Sequence, residues 1–275
     1  MMLSRIARLG AVVCVLCYGH MAAAITSKEP TGIELQSTRV IYPGDAKNGM
    51  TFTVTNRSSQ VYLLQSRIQP WRNAVLASQD SHDPKLVNDI NVHPSAMKED
   101  KETTLSPFII LPPLVRFSPN DAIVLRIRLV KNTLPKDRES VFTLMLKAIP
   151  SQALPKNLAD KAGLSMALAL QNNLKLFYRP AGMPLMTSTE RAEKLQFTRQ
   201  NSELVVTNPT PYYVTLSDIQ INRVPVPLHS QRMLAPFSKA QFTLARHSGD
   251  VVSWQTIGDD GMNTPAQTQK LHHVQ

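Results

Sequence analysis

The sequence predicts an all-β protein of two domains, each a sandwich or barrel of short strands. Three observations carry that prediction. Runs rich in β-branched and aromatic residues recur along the chain with turn-forming residues between them, and no βαβ alternation appears. Ala181-Gly182-Met183-Pro184 interrupts these runs like a linker. Both cysteines, Cys14 and Cys17, fall in an apolar leader, so stability must come from hydrophobic cores, and the remaining length suits two of them.

The leader comes first. Arg5 and Arg8 form a basic start, Leu9 to Tyr18 a short apolar run, and Ala22-Ala23-Ala24 a small-x-small cleavage site. The run is too short to span a membrane. Neither cysteine follows a small residue, which argues against lipid attachment. Cleavage after Ala24 is expected, giving an exported chain without cysteine. The expected organisation is residues 1–24 as signal peptide, 25–180 as the first domain and 181–275 as the second.

Strands are then expected at Gly32–Tyr42, before the turn Pro43-Gly44-Asp45, and at Met50–Thr55, Val61–Trp71, Ala122–Leu129 and Val141–Ile149. Ser78–Pro107 is polar, aperiodic and too long for a hairpin loop, and reads as an insertion. In the second domain the candidates are Leu195–Thr198, Glu203–Thr207, Tyr212–Ile221 and Ala240–Leu244. Asn208-Pro209-Thr210-Pro211 reads as a turn, and the polar tail after Gly261 as frayed.

The formal charge of +10 falls by two when Arg5 and Arg8 leave with the leader. The remaining cations are scattered, and aromatic residues make up only 6% of the chain, too few for base-stacking platforms. No nucleic-acid partner is expected. The chain carries no GxSxG elbow, HExxH pair, GxxxxGK[ST] loop or GxGxxG fingerprint. Its mature histidines, His82, His93, His229, His247, His272 and His273, show no metal-ligand spacing beyond the adjacent tail pair. No enzyme, metal or cofactor is expected.

The most informative stretch is Gly163–Gln171. Leu164, Met166, Leu168 and Leu170 occupy alternate positions and would share one face of a strand. Such a row most often faces the protein's own core. A helix is the other reading, since Leu158, Ala162, Met166 and Leu170 are spaced at i, i+4, although Pro155 and Gly163 oppose it. If uncovered, the row could receive an extended chain, with Lys175 meeting a carboxylate at its end.

Four segments in order resemble the periplasmic pilus-assembly chaperones of the chaperone–usher pathway. Thr38-Arg39-Val40-Ile41-Tyr42 is similar to the family's first strand. Leu134–Ser140 through Ala148-Ile149-Pro150 is similar to its signature segment. Lys175-Leu176-Phe177-Tyr178-Arg179-Pro180 resembles the end of the last strand of the first domain. Asn208–Val214 resembles an early segment of the second. The match spans about Ile33 to Thr264.

The resemblance implies two immunoglobulin-like β-sandwiches set at an angle with a cleft between them. It implies capture of pilus (fimbrial) subunits by donor-strand complementation in the periplasm and delivery to an outer-membrane usher. Leu164, Met166, Leu168 and Leu170 would be the donor residues, and Arg39 with Lys175 the anchor for a subunit's C-terminal carboxylate. Glu139, Arg179 and Asp259, with Asp260 as the alternative to Asp259, would form an ion network between domains. Pro112-Pro113 resembles a family turn that can hold a cis bond. A self-capping dimer is compatible with an exposed apolar edge.

Strict alternation places Lys175 on the opposite face from Leu170. A bulge or twist near Asn172-Asn173, or the geometry of the cleft, is needed to reconcile the two. The chain also departs from the family pattern. Met145 stands where the signature usually has Asn or Cys, and the stretch from Ser151 to Gly163 is long but has no accompanying disulfide. The other class considered is a secreted two-domain adhesin or carbohydrate-binding module, for which Trp71, Trp254, Tyr212 and Tyr213 are the available platform residues.

Overall fold

The computed structural model describes residues 32–71, 106–151, 168–229, 231–244 and 249–274. These residues form two β-sandwiches, each with its own apolar core.

In the first, one sheet is ordered β1 (Ile33–Leu35), β3 (Met50–Asn56), β7 (Ala122–Leu129), β5 (Phe108–Leu111). The facing sheet is ordered β2 (Arg39–Pro43), β9 (Leu170–Arg179), β8 (Ser140–Pro150), β4 (Tyr62–Pro70), β6 (Leu114–Phe117). The loose alternation of Gly32–Tyr42 therefore resolves into two strands in different sheets, broken at Gln36-Ser37-Thr38. Strands β5 and β6 were not anticipated. They come from one apolar run cut by Pro112 and Pro113. Neither proline can donate to a ladder, and the chain changes sheets there, with a cis bond at Leu111–Pro112. Ser66 accommodates the crossing: its Oγ donates to Pro112 O at 2.6 Å and its N–H to Pro113 O at 2.8 Å.

The second sandwich pairs a sheet ordered β15 (Ser238–Thr243), β11 (Glu203–Asn208), β10 (Gln196–Gln200), β18 (His272–Val274) with one ordered β13 (Val224–Pro225), β12 (Val214–Ile221), β16 (Val251–Ile257), β17 (Gln267–Lys270). The short β14 (Met233–Leu234) also pairs with β12. Trp254 lies in its core against Phe197, ring centroids 4.3 Å apart. The tail is not frayed. Strand β17 pairs antiparallel with β16, and β18 runs parallel to β10. Buried Thr264 and Leu271 tie it down, with Thr264 Oγ1 accepting from Thr256 N–H at 3.1 Å. Its polar composition reflects an edge strand held by backbone pairing.

A short helix, α1 (Ser188–Glu193), opens this half. Thr187 caps it and Glu190 returns the bond, a complete capping box.

Leu164, Met166, the 78–105 part of the insertion, His82, His93 and His247, and residues 1–31 with the leader lie outside the described residues.

Candidate functional site

The site is built on β9, which is flanked by β8 and β2. Strand β8 pairs with it antiparallel over its whole length, from Ala148↔Leu170 to Ser140↔Tyr178, without a register shift. No bulge occurs at Asn172-Asn173. Leu170, Leu174, Leu176 and Tyr178 therefore share the core face, and Lys175, Phe177 and Arg179 the opposite one. The different directions of Leu170 and Lys175 are real features of one regular strand.

Strand β2 runs parallel to β9 and meets it only from Arg39↔Lys175 to Pro43↔Arg179. Leu170 to Leu174 are thus strand-paired on the β8 side alone among the described residues. At this end Leu168 is 73% exposed and Leu170 49%. Farther along, the same face is buried: Leu176 is fully inside the core. An apolar row thus emerges from the sandwich beside an open strand edge.

Where β2 begins, the register sets Arg39 beside Lys175. Neither cation forms an ion pair among the described residues. Each lies against an aromatic ring: Arg39 is 5.6 Å from the centroid of Phe177, and the Lys175 ammonium 5.2 Å from that of Trp71. Burial first, and the neighbouring Arg39 charge second, together pull the Lys175 ammonium down to about 8. Burial also lowers Arg39, against attraction from Asp259. Two partly desolvated, adjacent cations without an ion-pair partner among the described residues could hold an anion, and a planar carboxylate would suit them.

Arg179, at the end of β9, joins the two sandwiches. Its Nε donates to Glu139 Oε1 and its Nη2 to Asp259 Oδ1, each at 2.6 Å. Glu139 is only 2% exposed, and its other oxygen accepts the Tyr213 N–H at 2.8 Å. Burial pushes the Glu139 carboxyl up, while Arg179 and the Tyr213 amide oppose that shift. Burial would also raise Asp259, but hydrogen bonds from two arginines hold it at about 2. The second of these is Arg191 of α1, whose Nη2 donates to Asp259 Oδ2 at 2.7 Å. Arg191 is 5% exposed and lies 4.8 Å from the Tyr212 ring centroid, with Arg179 at 5.2 Å from the same ring.

Arg191 is the network member that the sequence reading missed. The capping box at Thr187-Ser188-Thr189-Glu190 was a signal for the helix, but nothing in the local pattern marked its arginine as buried. Asp260 instead accepts the Met262 N–H at 2.9 Å within the turn. Phe177 is buried on the outward face of its sheet because Tyr213 of the second sandwich covers it, centroids 6.0 Å apart.

The proposed glycan platform does not assemble. Trp254 and Tyr212 are buried, and the Tyr212 hydroxyl donates to Pro184 O at 2.6 Å. Among the described residues no group of three or more His, Cys, Asp or Glu could hold a metal ion, and no helix is long and apolar enough to cross a membrane.

Two sandwiches bridged by a partly buried ion network, with an exposed apolar row beside an open strand edge, define the class of the protein as a two-sandwich β protein with a cation pair at that edge. The chain belongs to the PapD-type pilus-assembly chaperones. Residues 32–89 and 77–184 match the family described as "Pili and flagellar-assembly chaperone, PapD N-terminal domain". Residues 190–268 match "Pili assembly chaperone PapD, C-terminal domain". The chain is 37% identical over 244 residues to the chaperone protein LpfB of Salmonella typhimurium, covering 88% of this chain and 90% of LpfB. It is 30% identical over 252 residues to the chaperone protein FimC of Escherichia coli K12, covering 90% of this chain and 88% of FimC. A solved chain from the Salmonella enterica SafA pilin–SafB chaperone complex superimposes with a TM-score of 0.66 at 25% identity, over 89% of this chain and 99% of that one. The family is one of assembly chaperones and not an enzyme class.

Proposed function

We propose that this protein is a periplasmic chaperone that captures pilus subunits by lending them a strand and passes them to an outer-membrane usher. The observation that carries the proposal is the half-paired start of β9. Its backbone offers an open edge, and its apolar row is exposed at Leu168 and Leu170.

The geometry supports a particular mode of capture. The last strand of a subunit that lacks a pairing partner would lie along β9 in line with β2, hence parallel to β9. Running in that direction, its C-terminus would arrive where β2 begins, at Arg39 and Lys175. Those two cations then hold the terminal carboxylate and set the register. With register set, Leu168 and Leu170, continued upstream by Met166 and Leu164, fill the subunit's open core. Each buried apolar side chain contributes about 1.5–3 kcal/mol before the cost of association. No nucleotide need be consumed, because the subunit's own completion in the pilus can drive release.

The network of Glu139, Arg179, Asp259 and Arg191 fixes how the second sandwich stands against the first. Its role is to hold the cleft. The organisation proposed is a leader at 1–24, a strand-donating domain to 180 and a second domain from 181.

The test is co-production with candidate pilus subunits. Arg39→Ala and Lys175→Ala should abolish subunit recovery while the protein stays folded. Normal recovery with both variants sinks the anchor assignment.

A further inference from the structure

We infer that Trp71 is a positioning residue for subunit capture, holding the Lys175 ammonium where an incoming terminal carboxylate needs it. The inference rests on the reading of Arg39 and Lys175 as the anchor.

Lysine is a point charge on a flexible stem, and it reaches no fixed place without help. Here the need is acute. The parallel register sets Lys175 directly beside Arg39, a like charge. Repulsion favours rotamers that turn the ammonium away from the site. No carboxylate among the described residues restrains it. What lies against it is the indole of Trp71, 5.2 Å from the ammonium to the ring centroid. Tryptophan offers the strongest ring face for a cation.

Position gives the contact its meaning. Trp71 follows directly on β4, and β8 lies between β4 and β9. Through Thr143, Lys175 is in register with Gln69, and Trp71 lies two residues further along the chain; in-register residues two strands apart are already separated by roughly 10 Å, so a large side chain is needed to close the distance. Arg39 has the corresponding arrangement on the other side, resting 5.6 Å from Phe177. Each anchor cation thus has an aromatic support, one within β9 and one brought from β4. The ring attracts the cation without neutralising it, so the charge remains available to a carboxylate. An acidic partner in that place would compete with the subunit. The low titration of Lys175, about 8, agrees with an ammonium that has left much of its water and gained no counter-ion.

The test uses the mature protein and a fluorescein-labelled synthetic peptide of alternating valine and threonine. The peptide is prepared with a free C-terminal carboxylate and as the C-terminal amide. Unmodified protein should prefer the carboxylate form, and Lys175→Met should erase the preference. Trp71→Leu keeps an apolar side chain but removes the ring. It should weaken binding of the carboxylate peptide roughly 2- to 30-fold and leave the amide unchanged. Trp71→Phe restores a ring face and should recover binding to within roughly 3-fold of the unmodified protein. In the Lys175→Met background, Trp71→Leu should have no further effect.

Equal weakening of both peptides by Trp71→Leu, or no rescue by phenylalanine, overturns the inference and leaves Trp71 as a packing residue. Lack of preference in the unmodified protein, or its persistence in Lys175→Met, overturns the anchor reading itself.

Discussion

Replacing Lys175 with methionine should stabilise the free chaperone while destroying its ability to capture a subunit. The ammonium is partly buried beside Arg39 with no counter-ion among the described residues, and it is pulled down to about 8 from 10.5. At 1.36 kcal/mol per pH unit, that displacement corresponds to a penalty of about 3 kcal/mol at neutral pH. Solvent still reaches the group, so about half should survive as a measurable effect, roughly 1–2 kcal/mol. The sign follows from linkage. A lysine with a lowered folded value binds fewer protons folded than unfolded between about 8 and 10.5. Its contribution to stability therefore rises with pH across that window. Below it the penalty is complete.

The assay is urea unfolding of the original protein and Lys175→Met at about pH 7 and about pH 10. The variant should be more stable at the lower pH, and its advantage should shrink at the higher one. A variant less stable at neutral pH, or an advantage that does not change with pH, would refute the argument that the anchor is held at a cost which only a subunit carboxylate relieves.

Other expectations follow from neighbouring features. Leu168→Glu should leave thermal stability within about 0.5 kcal/mol, since the side chain is 73% exposed, yet subunit co-purification should fail. Asp259→Asn removes the carboxylate partner of buried Arg191 and one of the two partners of half-buried Arg179; with Asp259 itself partly exposed, it should cost roughly 1–3 kcal/mol by urea unfolding. Because Asp259 is depressed to about 2, its stabilisation is complete above the usual carboxylate range and is lost as pH falls toward 2. Acid unfolding curves of the original protein and Asp259→Asn should therefore converge at low pH. Gly261→Ala should destabilise by roughly 1–2 kcal/mol, because Gly261 sits at φ +83° and a Cβ would lie 2.3 Å from Thr38 Oγ1. Thermal melts of that variant check the contact just before Arg39.

Legibility in the sequence followed the strength of local pattern. Strands with clear alternation, such as β7 and β8, could be placed within a residue or two, because one face meets the core and the other meets solvent. The edge strands could not. Strand β17 reads Gln-Thr-Gln-Lys, with no apolar row, since backbone pairing to β16 holds it. The run that becomes β5 and β6 changes sheets at Pro112, a tertiary choice no periodicity expresses. Site residues divide in the same way. Nothing in composition or spacing singled out Arg39 or Glu139, Asp259 stood out only as half of an acidic pair in a glycine-flanked turn, and family resemblance alone supplied their roles. Arg191 was missed as a network member, and Trp71 was weighed only as a glycan-platform residue, because the meaning of each lies in what it faces.

In the proposed mode of capture, the regularity of β9 lets one strand carry two functions that need opposite directions. An interruption at Asn172-Asn173 would have turned Lys175 toward the leucine row, but the ladder with β8 is unbroken. A carboxylate terminus and the side chains before it also point in different directions: the end of a chain leaves along its backbone, while its side chains stand across it. A subunit strand pairing parallel to β9 therefore needs its anchor in line with the strand, where β2 starts. It needs the apolar donors on the flat of the sheet, where Leu168 and Leu170 emerge. Shifting the pairing by one residue would carry the carboxylate past Arg39 and turn every subunit side chain to the wrong face. In the proposed mode of capture the cation pair would thus select the register as well as supply affinity. It follows that extending a captured subunit by one C-terminal residue should cost more than deleting one donor methylene, a comparison that co-purification of paired variants can make directly.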